Sequence, residues 1–323
     1  RDIHPRNKRS VGERLARAAR AIAYGQELVA FGPEPRTMEL GAEGVATLRF
    51  DQTGGGLIEQ GGGFLRGFAL AGEDGIFHHA DAQIIAADRV VLRSTDVPAP
   101  REARYGWANN PGCNLANREG LPATPFRMQP TQDLFEGGLA RHWTSEDGSE
   151  PAWKEEPGGI VTVNPLAGSI MTREPIGDSD LFLEFRVPQV PDVLQGQQRG
   201  NSGVYLQRRY EIQILDSFGI PNPGMQDCAA IYSQRAPSRN QSLPSAVWQR
   251  YHLRFTAPRW NADGKQEAAA RLTLWHNGLL VHDDVEIADK TGSGQAEGPA
   301  PLPLLLQNHG QAVSFRKVLL SPR

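Results

Sequence analysis

The sequence predicts a mainly β protein, in which one helix precedes a small β unit and a larger β-sandwich or jelly roll follows. Glycine (35) and proline (24) are abundant among the 323 residues, as expected of a chain with many turns. About a dozen short strand-like segments follow one another after residue 130, with no good helix between them. Strands in such a run bury their apolar faces best as two packed antiparallel sheets.

The predicted helix covers residues 10–24. Val11, Leu15 and Ile22 recur at helical spacing, and Gly25 follows as a stop signal. The arginines of this segment are interpreted as a solvated face, because neither aromatic residues nor a neighbouring basic segment joins them into a nucleic-acid site.

The small β unit begins near residue 37. Residues 45–50, 65–71 and 82–94 carry alternating or short apolar runs bounded by glycine and aspartate. Two Gly-Gly-Gly runs lack a following helix and a Lys-Ser/Thr pair, so hairpin turns are favoured over a phosphate loop. Proline-rich sequence then ends the unit, which predicts domains at 1–128 and 131–323.

Composition excludes several classes of function. The formal net charge is −3, from 34 basic and 37 acidic residues, which gives no indication of nucleic-acid binding. No apolar run is long enough to span a membrane, so we expect no membrane insertion. Cys113 and Cys228 are too few and too far apart for a disulfide framework.

The larger unit contains eleven predicted strands, and Asn277-Gly278 between two of them is a strong two-residue hairpin signal. The strands are expected at 160–164, 169–174, 180–188, 203–207, 210–216, 230–235, 249–257, 270–278, 279–287, 303–309 and 313–320.

The strand at 210–216 is the most informative segment. Side chains at i and i+2 share one face of a strand, so Tyr210, Ile212 and Ile214 are expected to face the core. Glu211 and Gln213 then share the other face. A carboxyl beside an amide on a rigid element suits acid–base work on a polar substrate.

Three other strands also place polar side chains opposite an apolar face. They contribute Glu184 and Arg186, Gln307 and His309, and Arg316. One polar concave face of a sandwich would gather these groups into a groove with Glu211. The alternative is that each is an ordinary solvated outer face, which every antiparallel sheet has.

Asp216 joins Glu211 and Gln213 only if the strand is irregular. A regular strand cannot place i and i+5 on one face, so a β-bulge is predicted at Leu215. The Glu-x-Gln-x-x-Asp order resembles the Glu-x-Asp-x-x-Glu strand of family-16 glycoside hydrolases. Retaining hydrolysis needs two carboxyls about 5–5.5 Å apart, and Gln213 stands where one acid is expected.

Residues 131–320 resemble the 3-keto-disaccharide hydrolase domain. The matching motifs include residues 134–138, 168–172, 180–188, 274–287 and 304–318. The resemblance implies a concanavalin-like sandwich that acts on an oligosaccharide or glycoside whose sugar carries a ketone at C3. Such a ketone makes the C2 proton acidic, so that a base can remove it and the C1 substituent can leave before water adds.

On that mechanism we expect Glu211 or His309 as the base, with Asp216 orienting a group or donating the proton. Developing negative charge would be bound by Arg316 with Gln213 or Gln307. Further candidates for substrate binding are Glu184, Arg186, Asn201 and Tyr232. No cofactor is expected to be required, and a divalent metal held by His309 and a carboxylate remains the alternative.

The first unit resembles the tail of a sialate O-acetylesterase, an SGNH-type hydrolase, over residues 2–25 and 104–127. That resemblance implies a catalytic His4 with Asp2 as its acid. A triad also needs a nucleophile, expected upstream in an esterase domain, so this part is expected to be inactive as given. Both families imply a periplasmic or secreted bacterial protein.

Two other functions remain open. The larger unit could be a lectin-like module that binds carbohydrate without cleaving it, attached to the esterase. It could also be an accessory domain that positions that esterase on its substrate. Converging Glu, Gln, His and Arg side chains favour catalysis, whereas aromatic platforms without a carboxylate favour binding.

Overall fold

The computed structural model describes residues 7–191 and 193–323. Contacts divide the chain into two compact units, with the division between Gln132 and Asp133. Both units are built mainly from antiparallel strands, so the predicted fold class is confirmed. Cys113 and Cys228 are both free thiols. None of the helices in the described ranges has the length and apolar character needed to cross a membrane.

Helix α1 (Lys8–Ile22) precedes the strands of the first unit. It begins two residues before the predicted start because Asn7 caps it, accepting a hydrogen bond on Oδ1 from the Ser10 N–H at 3.1 Å. Its large apolar residues are exposed, with Leu15 at 68% and Ile22 at 74%.

The first unit packs two four-stranded sheets, in the orders β1-β2-β7-β6 and β10-β8-β4-β5, with β3 and β9 paired separately. Leu48, Leu70, Val90, Leu92 and Phe126 belong to one buried cluster supplied by both sheets. The strands are β1 (Glu34–Leu40), β2 (Ala46–Asp51), β3 (Leu57–Glu59), β4 (Phe68–Ala71), β5 (Phe77–His79), β6 (Asp81–Ala86), β7 (Arg89–Arg93), β8 (Glu102–Tyr105), β9 (Leu115–Asn117) and β10 (Phe126–Met128).

The second unit is a sandwich of a larger sheet, in the order β13-β14-β25-β16-β19-β22-β23, and a five-stranded sheet, in the order β12-β15-β24-β17-β18. Its elements are β11 (Gln132–Asp133), α2 (Leu139–His142), β12 (Trp143–Ser145), β13 (Lys154–Glu156), β14 (Ile160–Thr162), β15 (Ile170–Pro175), β16 (Ser179–Arg186), β17 (Ser202–Leu206), β18 (Tyr210–Ile214), β19 (Gln249–Thr256), β20 (Arg259–Trp260), β21 (Gln266–Ala268), β22 (Ala270–His276), β23 (Leu279–Ile287), β24 (Pro303–Leu306) and β25 (Ser314–Pro322).

The two inner faces of the sandwich form one core. Leu183 and Phe185 from β16 and Ile212 and Ile214 from β18 are all fully buried in the same cluster. Side chains that alternate with them along each strand therefore point outward, and the outward faces of the two sheets look in opposite directions.

Two local predictions have different outcomes. Asn277 (φ 51°) and Gly278 (φ 82°) form the predicted two-residue turn between β22 and β23. The predicted strand at 230–235 is wrong, because Ser233 takes a left-handed φ of 58° and Ile231 bridges both Ile212 and Arg235. This reversal brings the Tyr232 N–H to the Glu211 carbonyl at 3.1 Å.

Candidate active site

Strands β17, β18 and β24 place their outward side chains in two rows. Tyr205 lies opposite Glu211 on one side and Leu305 on the other. In the next row, Gly203 pairs with Gln213, and the Gln307 N–H donates to the Gly203 carbonyl at 2.9 Å. The predicted alternation is confirmed, since Tyr210, Ile212 and Ile214 lie in the core and Glu211 and Gln213 face away from it.

Glu211 is the central carboxyl of this face. Only 4% of the residue is exposed, and its Oε2 accepts a hydrogen bond from the Tyr205 hydroxyl at 2.7 Å. Its backbone N–H donates to Thr291 Oγ1 at 2.6 Å. Burial raises the pKa of Glu211 from 4.5 to about 7, although the hydrogen bond from Tyr205 acts in the opposite direction. A carboxyl with such a pKa can take up and release a proton near neutral pH.

Gly203 leaves the space that two side chains of the site occupy. A Cβ atom at this position would lie 2.7 Å from Glu211 Oε1 and 3.2 Å from Gln307 Oε1. The glycine therefore allows the carboxyl and the amide to lie across the backbone of β17.

Replacing Gly203 by alanine is expected to displace Glu211 and Gln307 and to lower kcat/KM at least about tenfold, because small misplacements of reacting groups are costly. Gly177→Ala is the matched control, since a Cβ there meets no atom within 4 Å. Steady-state kinetics and thermal unfolding of both variants test this. Unchanged activity in a folded Gly203→Ala protein would contradict it.

A cavity of about 80 Å³ opens over Glu211. It collects five of the residues proposed from sequence, namely Glu211, His309, Asn201, Tyr232 and Gln307. The remaining lining comes from Gln197, Tyr205, Gly292 and Ser293. Gln213 adjoins the cavity through its amide, which donates from Nε2 to Gln197 Oε1 at 2.8 Å.

Sequence reasoning missed Gln197 and the loop at 291–293, because neither belongs to a strand in which polar and apolar residues alternate. Tyr205 is also missing from the predicted site, although its hydroxyl donates to Glu211 Oε2. The strand pattern 203–207 already placed Tyr205 one row from Gly203, and the hairpin register could have paired it with Glu211.

Three amide oxygens at the site are buried and unpaired. Asn201 Oδ1, Gln213 Oε1 and Gln307 Oε1 have no hydrogen-bond donor among the described residues. A buried acceptor without a partner costs roughly 1–3 kcal/mol. Hydroxyl groups of a bound ligand would satisfy these oxygens, so their presence favours a polyhydroxylated substrate.

The predicted bulge at Leu215 is wrong, and Asp216 does not line the cavity. Strand β18 ends at Ile214, and Leu215 is buried in the core. Asp216 instead pairs with Arg199, whose Nη2 lies 2.7 Å from Asp216 Oδ2. The Asp216 N–H also donates to the Arg199 carbonyl at 2.9 Å. This hydrogen bond joins the segment after β18 to the segment before β17.

The expected single groove is also wrong. Glu184 and Arg186 lie on β16, and Arg316 lies on β25. Both strands belong to the larger sheet, so these side chains lie on the outer face of the sandwich that is opposite to the face of Glu211. There Arg316 pairs with Glu184, and the guanidinium groups of Arg316 and Arg186 lie 4.2 Å and 4.8 Å from the centre of the Trp248 ring. Alternation gives the face of a strand but not the sheet to which the strand belongs.

The turn between β17 and β18 is held in a strained conformation. Gln207 and Arg208 both have left-handed φ angles, 50° and 52°, and each costs on the order of 1 kcal/mol or more for a residue other than glycine. Gln207 Nε2 donates to the Ile176 carbonyl at 2.7 Å, and Arg209 donates to the carbonyls of Ala296 and Ala300. These anchors maintain the turn.

The candidate metal ligands do not form a cluster. No group of three or more His, Cys, Asp or Glu side chains that could hold a metal ion occurs among residues 7–191 and 193–323. The cavity over Glu211 offers one carboxyl and His309, together with neutral amides and hydroxyls. Its donor set suits sugar hydroxyls better than a tightly held cation.

His4 and Asp2, the residues proposed for an esterase, lie outside the described residues.

Comparisons with known proteins match both parts of the chain. Residues 130–321 match a family described as a 3-keto-alpha-glucoside-1,2-lyase-like domain. A Parabacteroides distasonis protein provisionally named a glycosyl hydrolase has a similar solved structure, with 30% identity and a TM-score of 0.55, covering 60% of this chain and 84% of that one.

The first unit is similar to esterases. The sialate O-acetylesterase of Mus musculus is 46% identical over 52 residues, which are 16% of this chain and 10% of the mouse protein. A carbohydrate acetylesterase from Xanthomonas citri is 50% identical, covering 40% of this chain and 29% of that one, with a TM-score of 0.38. The chain thus spans less than a third of either esterase, and both predicted resemblances are confirmed.

Proposed function

The chain belongs to the 3-keto-alpha-glucoside-1,2-lyase-like domain family through residues 130–321, and we propose that this part cleaves 3-keto-glycosides by removing the C2 proton. The observation that carries the proposal is Glu211, a buried carboxyl with a pKa of about 7 in a cavity lined by amides and hydroxyls. The similar Parabacteroides distasonis structure supports an enzyme acting on carbohydrate.

The proposed reaction conserves atoms and charge within the substrate and water. Glu211 takes the C2 proton, electrons of the C–H bond form a double bond between C1 and C2, and the C1–O bond breaks. The departing oxygen receives a proton, which leaves an unsaturated 3-keto sugar. Water then adds at C1 and a proton returns to C2, which completes hydrolysis.

Tyr205 is the proposed donor to the departing oxygen. Its hydroxyl already donates to Glu211 Oε2, so a proton taken up by Glu211 can replace the one that Tyr205 gives away. The Gln307 amide lies 3.4 Å from the Tyr205 oxygen and supplies N–H groups for the enolate oxygen, the role first expected of Arg316. His309 lines the same cavity and is the alternative base.

The pH dependence follows from the base role. Glu211 accepts a proton only when it is ionised, and its pKa is about 7. We expect kcat/KM to rise with pH through about 7 and then level off, in initial rates measured between about pH 5 and 9. A profile that is flat or falls over this range would contradict Glu211 as the base.

The decisive test is incubation with 3-keto-disaccharides and unoxidised disaccharides in parallel, with and without chelator. Cleavage of the 3-keto substrates alone supports the proposal, whereas equal cleavage of both favours a mechanism without the ketone. Binding without any cleavage favours the lectin-like module. Loss of cleavage with chelator favours a divalent metal as Lewis acid.

For the first unit we propose a role beside a carbohydrate esterase, supported by its similarity to sialate O-acetylesterase over 52 residues. We also propose that the protein is exported, either to the periplasm or out of the cell, because its proposed substrate is a glycan.

A further inference from the structure

The first unit contains an open groove of about 1090 Å³. Its walls come from β6, at the edge of its sheet, from β7, and from the loop that connects β3 to β4. We propose that this groove binds a neutral oligosaccharide. The inference concerns the first unit alone and does not rest on the cleavage of 3-keto-glycosides proposed for the second.

A buried asparagine fixes the loop between β3 and β4. Asn114 Oδ1 accepts a hydrogen bond from the Arg66 N–H at 2.8 Å, and Asn114 Nδ2 donates to the Phe64 carbonyl at 3.0 Å. The Asn114 carbonyl accepts from the Gln60 N–H at 2.7 Å. These three bonds hold the chain on both sides of residues 61–63. The loop is therefore anchored at its base and forms a defined wall of the groove.

Three glycines carry Phe64 to the mouth of the groove. Residues 61–63 all have left-handed φ angles, between 77° and 88°, and a Cβ on any of them would meet no atom within 4 Å. Phe64 follows them, lines the groove and is 90% exposed. An aromatic ring in this position can cover the apolar C–H face of a sugar ring, which removes both surfaces from water.

The apolar part of the lining is continuous with the core of the first unit. Leu65 is buried in that core, and Ala82 and Ile84 of β6 pack against it. A backbone bridge between Leu65 and Ala82 joins the loop to the edge strand. The groove therefore has a fixed apolar base, on which a ring bound under Phe64 can rest.

Four polar side chains of the groove are free to contact a ligand. Glu59, Arg66, Gln83 and Arg93 line it, and their side chains form no hydrogen bond or ion pair with any residue that the structure describes. Guanidinium groups donate, a carboxylate accepts and an amide does both. Sugar hydroxyls also donate and accept, so this mixture of groups suits a chain of sugars.

The charges of the groove favour a neutral ligand over an anionic one. Arg66 and Arg93 are balanced by Glu59 and Asp81, and His79 Nε2 lies 3.7 Å from Asp81 Oδ1. A phosphate or carboxylate ligand is usually bound by an excess of cationic groups, which this balanced lining does not offer. The volume is at the upper end of the range of about 300–1,000 Å³ for small-ligand sites, which favours several linked sugars over one.

The test is calorimetric titration of the full chain with cellohexaose, xylohexaose and chitohexaose, and with hexagalacturonate as the anionic comparison. We expect at least one neutral sugar to bind, and Phe64→Ala and Arg93→Gln each to raise its Kd at least about fivefold, through loss of the ring contact or of a charged donor. The matched controls are Ile76→Ala and Arg101→Gln, which change exposed side chains of the same unit outside the groove and should leave the Kd within about twofold.

Three outcomes would overturn the inference. Binding of none of the neutral sugars is what a groove that holds a polypeptide strand against the edge of β6 would give. Binding that Phe64→Ala and Arg93→Gln leave unchanged would place the sugar elsewhere on the chain. Tighter binding of hexagalacturonate than of every neutral sugar, weakened in Arg93→Gln, would make the ligand anionic. Each of these results leaves the tests of the second unit with 3-keto substrates unaffected.

Discussion

Glu211→Gln is expected to lower kcat/KM for 3-keto-glycosides by about 100- to 10,000-fold, the usual contribution of a general base. The amide has nearly the shape of the carboxyl, so the cavity and the hydrogen-bond position of Tyr205 are retained. What is lost is the group that accepts the C2 proton. Steady-state kinetics with 3-keto and unoxidised substrates measure the effect.

The same variant is expected to be more stable than the unaltered chain at alkaline pH. The folded-state pKa of Glu211 is raised from 4.5 to about 7, so the folded protein binds one more proton than the unfolded chain between these values. Stability therefore falls as pH rises through this window. Ionised Glu211 then costs on the order of 3 kcal/mol, which the neutral glutamine avoids.

Asp216→Asn is the matched control, because it also turns a carboxyl into an amide only five positions away. Asp216 is paired with Arg199 outside the cavity. We expect this variant to lose stability and to retain its activity per folded molecule. An Asp216→Asn protein as inactive as Glu211→Gln, or a fully active Glu211→Gln protein, would remove Glu211 from its proposed role.

The contrast between these carboxyls shows what strand periodicity can predict. Alternation placed Glu211 opposite the core face of Ile212 and Ile214, and the structure agrees. Alternation applies only while the strand continues, and nothing in the sequence shows that β18 ends at Ile214. The alternation therefore does not apply to Asp216, which follows the end of β18 and does not share the face of Glu211.

A second limit of strand periodicity is that it does not show to which sheet a strand belongs. Arg316 and Gln307 follow the same alternation in neighbouring segments, yet Arg316 lies on the larger sheet and Gln307 directly follows β24 of the five-stranded sheet. The pairing of β25 with β16 and of β24 with β17 joins strands far apart in sequence. The local alternation of polar and apolar residues does not show which distant strands pair. Residue spacing alone therefore cannot show whether Arg316 and Gln307 line one groove.

Tyr205→Phe is expected to lower kcat/KM by about 100- to 1,000-fold, as removal of a single donor to developing charge does in other enzymes. The phenol is held against Glu211 Oε2 at 2.7 Å and lines the cavity over Glu211. Without it, the departing oxygen loses its proton donor, so kcat should fall more than KM changes.

A shift in the pH profile separates this role from simple packing. The hydrogen bond from Tyr205 lowers the pKa of Glu211, and burial raises it to about 7. Removing the hydroxyl leaves burial unopposed, so the rising limb of the pH profile should move to higher pH in Tyr205→Phe. Tyr232→Phe changes a phenol in the same cavity and should leave that midpoint in place. If both variants keep the original midpoint, Tyr205 does not act through Glu211, and the proton path from C2 to the departing oxygen needs another residue, for which His309 is the next candidate.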